Sequence, residues 1–473
     1  MDEKISYTSG AAPIYFNIGG VTMIIALEIG IMVFTLISIV QSTWRIIPLG
    51  QAAIFASAIS VVLMVIHVVG FEFRWQMAPV FVVASVVFVT LLLDITTGRF
   101  LRITGISVAM LLLLLSLVLS FGFPVQTLPT PDGPNSVGVV MIDHDYSPGH
   151  ETEAAPLRRL FLKIWYPASI EDETQYGRQT LWNELNNPSD FSAIERFFAT
   201  YLKNMKTNAL QHAPIKLDSG KPPVLIYNHA LLSIASENTF LMEHLASHGY
   251  IVVSIRHKDQ RTEYQALQNS LSEEERLKEA ENFGVLAGLG ELDRSERAKL
   301  TLQIYRENKT LPEIVRARAR DSQDVIDNLS SILGAVPGYQ GSMHKNSSKV
   351  GLVGLSLGGA VATELCKYDR RCGAVINMDG GIFGTNIDAP VPVPYLMLYS
   401  ERHLGGNDFL KQASGENYEE RMITGAEHLD FHDASYVLPG LRFIGLLGAI
   451  GGGEMIRQKN ILVREFLDQN LKH

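Results

Sequence analysis

The N-terminal part of the chain contains long apolar stretches that carry almost no charge. Three stretches contain no charged residue at all, and they run over 46–71, 75–93 and 103–131. A fourth apolar run, over 18–40, contains Glu28 as its one charged residue. About 20 consecutive apolar residues are enough to cross a bilayer as a helix. We therefore predict a transmembrane domain over 1–123, with four helices near 18–40, 46–69, 77–95 and 103–123.

Two other interpretations of these runs are weaker. Buried helices of a large soluble protein are disfavoured because four such runs follow one another. A cleaved signal peptide is disfavoured for the first run, since it lacks a basic front and a small-residue cleavage site. Glu28 is costly in lipid, and we expect it to face the interior of the helix bundle.

Positive charges near the predicted helices indicate an orientation. Arg45, Arg99 and Arg102 fall in the first and third loops, whereas Lys4 and Arg74 fall on the other side. The positive-inside rule therefore predicts that both termini, and everything after the fourth helix, lie outside the cytoplasm.

The net charge of −9 belongs entirely to the C-terminal part of the chain. Residues 1–123 contain five acidic and five basic residues, so the first part is neutral overall. The acidic remainder has no basic surface of the kind that binds nucleic acid. Nucleic acid is therefore excluded as a partner, and a membrane is expected.

Turn-forming residues mark a linker over 124–136, which contains the sequence "TLPTPDGPNS". Beyond it, short apolar runs such as "PPVLIYNHA" and "YIVVSIRH" alternate with helical stretches. Fully apolar strands that alternate with helices are typical of a mostly parallel sheet covered by helices on both faces. We predict an α/β domain over 137–473, with a helical insertion at about 258–313.

A serine follows one of these apolar strands in the sequence "KVGLVGLSLGGA". Ser356 has Gly354 and Gly358 two residues away on either side, which is the G-x-S-x-G nucleophile elbow of α/β-hydrolases. Glycine avoids collisions of a β-carbon with the neighbouring strand and helix in this tight turn. The amide of Leu357 would then be available to an oxyanion. A phosphate loop is disfavoured, because it requires a lysine where Ala360 stands.

A nucleophilic serine needs a base and an orienting acid, which follow it in the order acid, then histidine. For the acid, Asp379 and Glu401 both come at strand ends; general hydrolase architecture favours Glu401, but spacing leaves the choice open. His428 follows the apolar strand "RMIT" and is the preferred base, with His432 as a rival. The histidines after the serine are His403, His428, His432 and His473.

Cys366 and Cys372 are the two cysteines of the chain. This number excludes a disulfide framework and a cysteine-built zinc site. The two cysteines flank one helix-to-strand connection and could pair, but buried free thiols are the more common outcome. We therefore expect two free thiols.

From about Pro129 onward the chain resembles the plasma-type platelet-activating factor acetylhydrolases, serine hydrolases that act as calcium-independent phospholipases A2. The resemblance rests on "PTPDGPNSVG", "LFLKIWYPAS", "NHALLS", "LASHGYIVVSIRHKD", "VRARARDSQDVI", the elbow, "RCGAVINMDG", "RMITGAEHLDF" and "REFLDQNL". It implies an α/β-hydrolase fold and does not extend to residues 1–123.

The resemblance implies roles for particular residues. It implies Asp379 as the acid and His428 as the base, which leaves Glu401 structural. It also implies Leu231 as the source of a second oxyanion amide. Ala230 stands where the family has a glycine. If that position needs a positive φ, alanine would strain the loop and weaken the oxyanion hole.

These features predict a membrane-anchored serine esterase or lipase that needs neither a metal nor another cofactor. Its substrates would be phospholipids with short or oxidised acyl chains, or related acyl esters. The apolar, glycine-rich stretch over 436–453 is either a core segment or, like the similar region of the family, a lipid contact. Two alternatives stay open. One is a ligand-binding or sensor protein without activity, and the other is an acyltransferase that uses the same three residues.

Overall fold

The computed structural model describes residues 19–44, 50–95, 98–146, 157–185, 191–217, 221–257, 260–340, 348–385 and 387–472. Several expectations concern positions outside the described residues, and these positions are Lys4, Ile18, Arg45, 46–49, 258–259 and His473. The chain divides into two compact units. The first is Met1–Thr127 with Thr200–Asn204, and the second is Leu128–Ala199 with Met205–His473.

Four long apolar helices form most of the first unit. They are α1 (Gly19–Trp44), α2 (Gly50–Phe71), α3 (Ala78–Leu92) and α4 (Arg99–Gly122). A single helical turn over Trp75–Met77 precedes α3. Each helix, with that turn counted into the third, is long and apolar enough to cross a membrane.

The one acidic residue of α1 is buried among polar partners. Glu28 lies 3.2 Å from the Nε2 atom of His67 in α2, and the guanidinium of Arg74 donates a hydrogen bond to the same oxygen. Arg74 also donates to the backbone carbonyl of Phe123, at 2.9 Å. Because each charge has a partner, the bundle accommodates these groups without an isolated buried charge.

The second unit is built around a sheet of ten described strands. In chain order they are β1 (Ser136–Tyr146), β2 (Arg158–Ala168), β3 (Arg178–Thr180), β4 (Lys206–Gln211), β5 (Val224–Asn228), β6 (Ile251–His257), β7 (Val350–Leu355), β8 (Cys372–Met378), β9 (Tyr395–Tyr399) and β10 (Tyr418–Met422). Their spatial order is β10-β9-β8-β7-β5-β6-β2-β1-β4-β3. The run from β10 to β6 is parallel throughout, and β2 joins it in antiparallel orientation.

Twelve described α-helices accompany this sheet. They are α5 (Trp182–Leu185), α6 (Ala193–Ala199), α7 (Thr239–Ser247), α8 (Gln260–Ser270), α9 (Glu273–Ala287), α10 (Arg294–Glu307), α11 (Thr310–Asp327), α12 (Leu329–Leu333), α13 (Leu357–Cys366), α14 (Asp408–Ser414), α15 (Ala434–Val437) and α16 (Gly452–Leu471). The predicted insertion contains α8, α9 and α10. Its helix α9 begins with a capping box, in which Ser272 and Glu275 bond each other's backbone amides.

Both faces of the sheet are covered, as the alternation of apolar strands and helices predicts. Along β7, Leu352 and Val353 point to opposite faces and belong to two separate apolar clusters. Residues of α11 and α13 complete the first cluster, and residues of α7 and α16 complete the second. The parallel strands are therefore buried on both sides, and their carboxyl ends meet along one edge.

The two cysteines form a disulfide, so the expectation of free thiols was wrong. Cys366 ends α13 and Cys372 begins β8. The short reversal between the helix and the strand brings their Cα atoms to 5.3 Å. This separation lies within the range that a disulfide spans.

Candidate active site

Ser356 lies in a tight turn between β7 and α13, with φ 55° and ψ −120°. The flanking glycines are required by close approach. A β-carbon on Gly354 would lie 2.1 Å from the backbone of Gly358, and one on Gly358 would lie 1.9 Å from the carbonyl oxygen of Asn228 in β5. A side chain at either position would therefore collide with the neighbouring helix or strand, as predicted. The two glycines avoid these collisions and allow the turn to hold Ser356 at a positive φ, which L-residues rarely adopt.

Three predicted site residues come together at the carboxyl ends of β7, β8 and β10. The Oγ atom of Ser356 lies 3.0 Å from Nε2 of His428. The Nδ1 atom of His428 lies 2.8 Å from Oδ2 of Asp379. This is the hydrogen-bonded chain in which a base can take the serine proton while a carboxylate orients the imidazole.

Asp379 is held firmly from several sides. It follows β8, has a positive φ of 49°, and its side chain is fully buried. Its Oδ1 atom accepts a hydrogen bond of 2.7 Å from the backbone amide of Ser400. Burial opposes ionisation of Asp379, but the charges and hydrogen bonds of His403 and His428 outweigh it and hold the pKa of the carboxyl below its ordinary value.

His403 is a member of this network that the sequence argument did not assign. It lies in the loop between β9 and α14, and its Nδ1 atom is 2.8 Å from Oδ2 of Asp379. The ring centres of His403 and His428 are 5.6 Å apart, with the planes at 71°. The sequence did contain a signal for this residue. His403 stands four residues after the end of β9, the strand that follows Asp379.

Leu231 and Leu357 line the same cavity as Ser356. Leu357 is the first residue of α13, so its amide has no partner within the helix. The expected strain at Ala230 does not occur, because the positive φ in this loop, 57°, belongs to Leu232. Alanine therefore fits at position 230.

Glu237 secures the loop that contains Leu231. The amide of Ala230 donates to both carboxylate oxygens of Glu237, at 3.0 and 3.2 Å. The hydroxyl of Tyr227 donates to one of them at 2.6 Å. Burial raises the pKa of Glu237 to about 7, although these donors oppose the rise.

A cavity of about 360 Å³ opens beside Ser356. Its lining is mostly apolar and combines residues of the insertion with residues at the ends of the strands. The apolar side chains include Phe283, Leu286, Leu289, Leu311, Phe383 and Leu446. Such a surface suits an acyl chain better than a polar substrate.

Other predicted candidates lie elsewhere. Glu401 is exposed to solvent. The Nδ1 atom of His432 lies 3.4 Å from Glu237, and burial lowers the pKa of His432 to about 3. His229 is fully buried, and its Nδ1 atom is 2.6 Å from the carbonyl oxygen of Ala230. It therefore packs within the loop after β5.

The stretch over 436–453 is buried in part and exposed in part. Val437, Leu447 and Ile450 are buried. Phe443 and Ile444 are 79% and 70% exposed, next to cavity residues Gly445 and Leu446.

Side chains of metal-binding type also meet outside the cavity lining, within the described residues. The carboxylate of Asp132 lies 2.7 Å from Nδ1 of His244 and 3.1 Å from Nε2 of His248. Both histidines contact the carboxylate of Asp132, and the expectation that the chain needs no metal or cofactor stays a prediction.

A family model for platelet-activating factor acetylhydrolase, isoform II, matches residues 121–473. The match covers most of the chain. The chain belongs to this family. The resemblance found in the sequence is thereby confirmed.

Individual platelet-activating factor acetylhydrolases show the same relationship. Those of Cavia porcellus and Bos taurus are 25% and 24% identical over 336 and 351 residues, which cover 68% and 69% of this chain and 71% and 72% of the relatives. That of Gallus gallus is 24% identical over 373 residues, covering 73% of this chain and 83% of the relative.

Among solved structures, a ferulic acid esterase from Streptomyces cinnamoneus is similar with a TM-score of 0.50. It is 19% identical, and the match covers 73% of this chain and 93% of the esterase. The predicted α/β-hydrolase fold is confirmed. This platelet-activating factor acetylhydrolase family member is accordingly a carboxylic ester hydrolase.

Proposed function

We propose that the protein hydrolyses lipid esters through Ser356, His428 and Asp379 while anchored in a membrane by its first four helices. The observation that carries this proposal is the chain of contacts from Ser356 Oγ to His428 Nε2, at 3.0 Å, and from His428 Nδ1 to Asp379, at 2.8 Å. Ser356, His428 and Asp379 all line a cavity whose walls are largely apolar.

In the proposed reaction, Ser356 Oγ attacks the ester carbonyl as His428 takes its proton. The tetrahedral intermediate collapses when His428 returns this proton to the leaving alcohol, which leaves an acyl group on the serine. Water, deprotonated by His428, then attacks the acyl-enzyme. His428 returns the proton to Ser356 Oγ as the acid is released. Asp379 orients the imidazole and stabilises its charged form in both steps.

The amides of Leu231 and Leu357 are proposed to stabilise the oxyanion. Support comes from the position of both residues at the cavity and from the helix start at Leu357. Removing one such donor typically costs about 10²- to 10³-fold in kcat.

For the substrate, we propose phospholipids with short or oxidised acyl chains, or related acyl esters. A cavity of about 360 Å³ with apolar walls favours a short acyl chain over a long one. The exposed side chains of Phe443 and Ile444 lie beside cavity residues, and they suit contact with a lipid surface.

Membrane anchoring is supported by the surface of the first unit. Its helices expose large apolar side chains, among them Val69, Phe100 and Phe121 at 82%, 85% and 76%. Such a surface suits lipid and not water. The disulfide between Cys366 and Cys372 favours an oxidising compartment, in agreement with the extracytoplasmic hydrolase unit that the loop charges predict.

The test is covalent labelling of the detergent-purified full chain with a fluorophosphonate, followed by peptide mapping. We expect an adduct on Ser356 that is lost in Ser356→Ala and His428→Ala. Ser270→Ala is the control, because this serine ends α8 and its hydroxyl bonds the carbonyl of Leu267. Phosphatidylcholines with sn-2 acetyl, oxovaleroyl and palmitoyl chains then define the substrate.

Each alternative has its own outcome. A folded protein that forms no adduct would support the ligand-binding or sensor interpretation and overturn the proposal. Transfer of the acyl group to an added alcohol in preference to water would identify an acyltransferase. Faster release of palmitate than of acetate would contradict the short-chain substrate.

A further inference from the structure

We propose that His403 is a positively charged positioning residue that shares Asp379 with His428 and sets the acid limb of the pH–rate profile. The inference rests on the proposed triad. His403 acts on His428 through the carboxylate of Asp379, which contacts both imidazoles.

Both imidazoles bond one carboxylate oxygen. The Nδ1 atoms of His403 and His428 each lie 2.8 Å from Oδ2 of Asp379. The other oxygen, Oδ1, is occupied by the amide of Ser400. A buried carboxylate oxygen can accept hydrogen bonds from two donors. Each donor is then stabilised less by the negative charge of the oxygen than a single donor would be.

The position of His403 beside a buried carboxylate favours the charged ring. Its Nδ1 atom lies 2.8 Å from Oδ2 of Asp379, and an opposite charge at this distance stabilises the imidazolium. The side chain is 23% exposed, which leaves the charge partly shielded from water.

The electrostatic surroundings agree with this charge. Burial lowers the pKa of His403, but the carboxylate of Asp379 outweighs burial and raises the pKa above its ordinary value. Arg402 opposes the charge, although its own guanidinium is paired with Glu427 at 2.9 Å. The titratable groups that face this part of the site are Asp379, His428, Arg402, Glu427, Glu291 and Tyr305.

A cation next to His428 makes protonation of that base less favourable. The ring centres are 5.6 Å apart. Repulsion between two unit charges at about this distance, with the screening typical of a partly exposed site, corresponds to about 1 pH unit. His403 therefore keeps His428 neutral, and able to act as a base, to lower pH than it would be without this neighbour.

The experiment compares pH profiles of kcat/KM for a short-chain nitrophenyl ester in the full-length protein. His403→Asn keeps a donor near the Nδ1 position and removes the charge. His403→Ala removes both. Lys411→Gln is the matched control, because Lys411 is a cation on α14 that pairs with Glu420 and does not line the cavity.

We expect the acid limb to move to higher pH by about 1 unit in both His403 variants, and to stay in place in Lys411→Gln. On the plateau, His403→Asn should retain kcat within about threefold, whereas His403→Ala should lose about tenfold because Asp379 loses a donor. Folded variants whose acid limb coincides with that of the wild type would overturn the inference. A wild-type protein with neither turnover nor an adduct on Ser356 would overturn the proposed function as well.

Discussion

The amide nitrogen of Ala230 lies 3.0 Å from one carboxylate oxygen of Glu237 and 3.2 Å from the other. This bond ties the loop after β5 to the turn before α7. Leu231, which follows immediately, lines the cavity beside Ser356. The backbone of Ala230 is thus fixed by a buried carboxylate.

Substitution of Glu237 should therefore affect catalysis through this loop. We expect Glu237→Ala to lower kcat/KM about tenfold to hundredfold, because the amide of Leu231 loses its defined position. Glu237→Gln is the control, since its amide oxygen can still accept from Ala230, and it should stay within about fivefold of the wild type. Equal activity of the alanine variant would show that Leu231 takes no part.

The same carboxyl should shape the pH dependence of stability. Its pKa is raised to about 7 by burial, so the folded state favours the protonated form. The resulting stability is complete below the unfolded pKa near 4.5 and is lost as pH rises through about 7. The loss is on the order of 2–3 kcal/mol.

Thermal unfolding at pH 5, 6 and 7 measures this effect. The wild-type Tm should fall over the interval by more than that of Glu237→Gln, which cannot titrate. Burial also raises the pKa of Asp433 to about 7. The Tm of Glu237→Gln should therefore still fall with pH, but less steeply than that of the wild type. Identical slopes would contradict the assignment to Glu237.

The elbow glycine at 358 tolerates no side chain. Gly358→Ala should destabilise the protein by about 3 kcal/mol and abolish labelling of Ser356, because its β-carbon would lie 1.9 Å from the Asn228 carbonyl oxygen. Gly453→Ala, in α16, is the control, since no atom lies within 4 Å of the added carbon. Thermal unfolding and fluorophosphonate labelling measure both variants, and equal behaviour would refute the steric argument.

In the first unit, Glu28→Gln should lower stability by about 3 kcal/mol, because Arg74 would remain buried without its anionic partner. Glu72→Gln removes a comparable ion pair, with Lys203 at 3.2 Å, but both side chains are substantially exposed. Such a pair contributes about 0–1 kcal/mol. Thermal unfolding in detergent should distinguish the two variants, and equal loss would contradict burial as the cause.

Thiol labelling tests the compartment of the hydrolase unit. Protein taken directly from membranes, denatured and treated with a maleimide polymer, should gain no mass before reduction and two labels after it, because Cys366 and Cys372 are joined. Cys366→Ser with Cys372→Ser provides the unlabelled control. Two labels without reduction would place the unit in a reducing compartment.

The acid was the point at which local pattern failed. Asp379 and Glu401 both follow strands, and spacing along the chain does not determine which one faces a distant histidine. The tertiary structure brings Asp379 to 2.8 Å from His428 and leaves Glu401 in solvent. The second imidazole on Asp379 escaped prediction for the same reason, since His403 is 25 residues from His428 in sequence and 5.6 Å from it in space.

The sequence by itself determined the features whose physical cause is local. Long charge-free runs predict four membrane-length helices, and a strand followed by G-x-S-x-G predicts a turn that only glycines permit. The tertiary structure decided which side chains share a carboxylate, which residue takes the positive φ beside Ala230, and that Cys366 and Cys372 pair. These depend on how separate strands and loops pack at one edge of the sheet, and no pattern within a single segment contains that information.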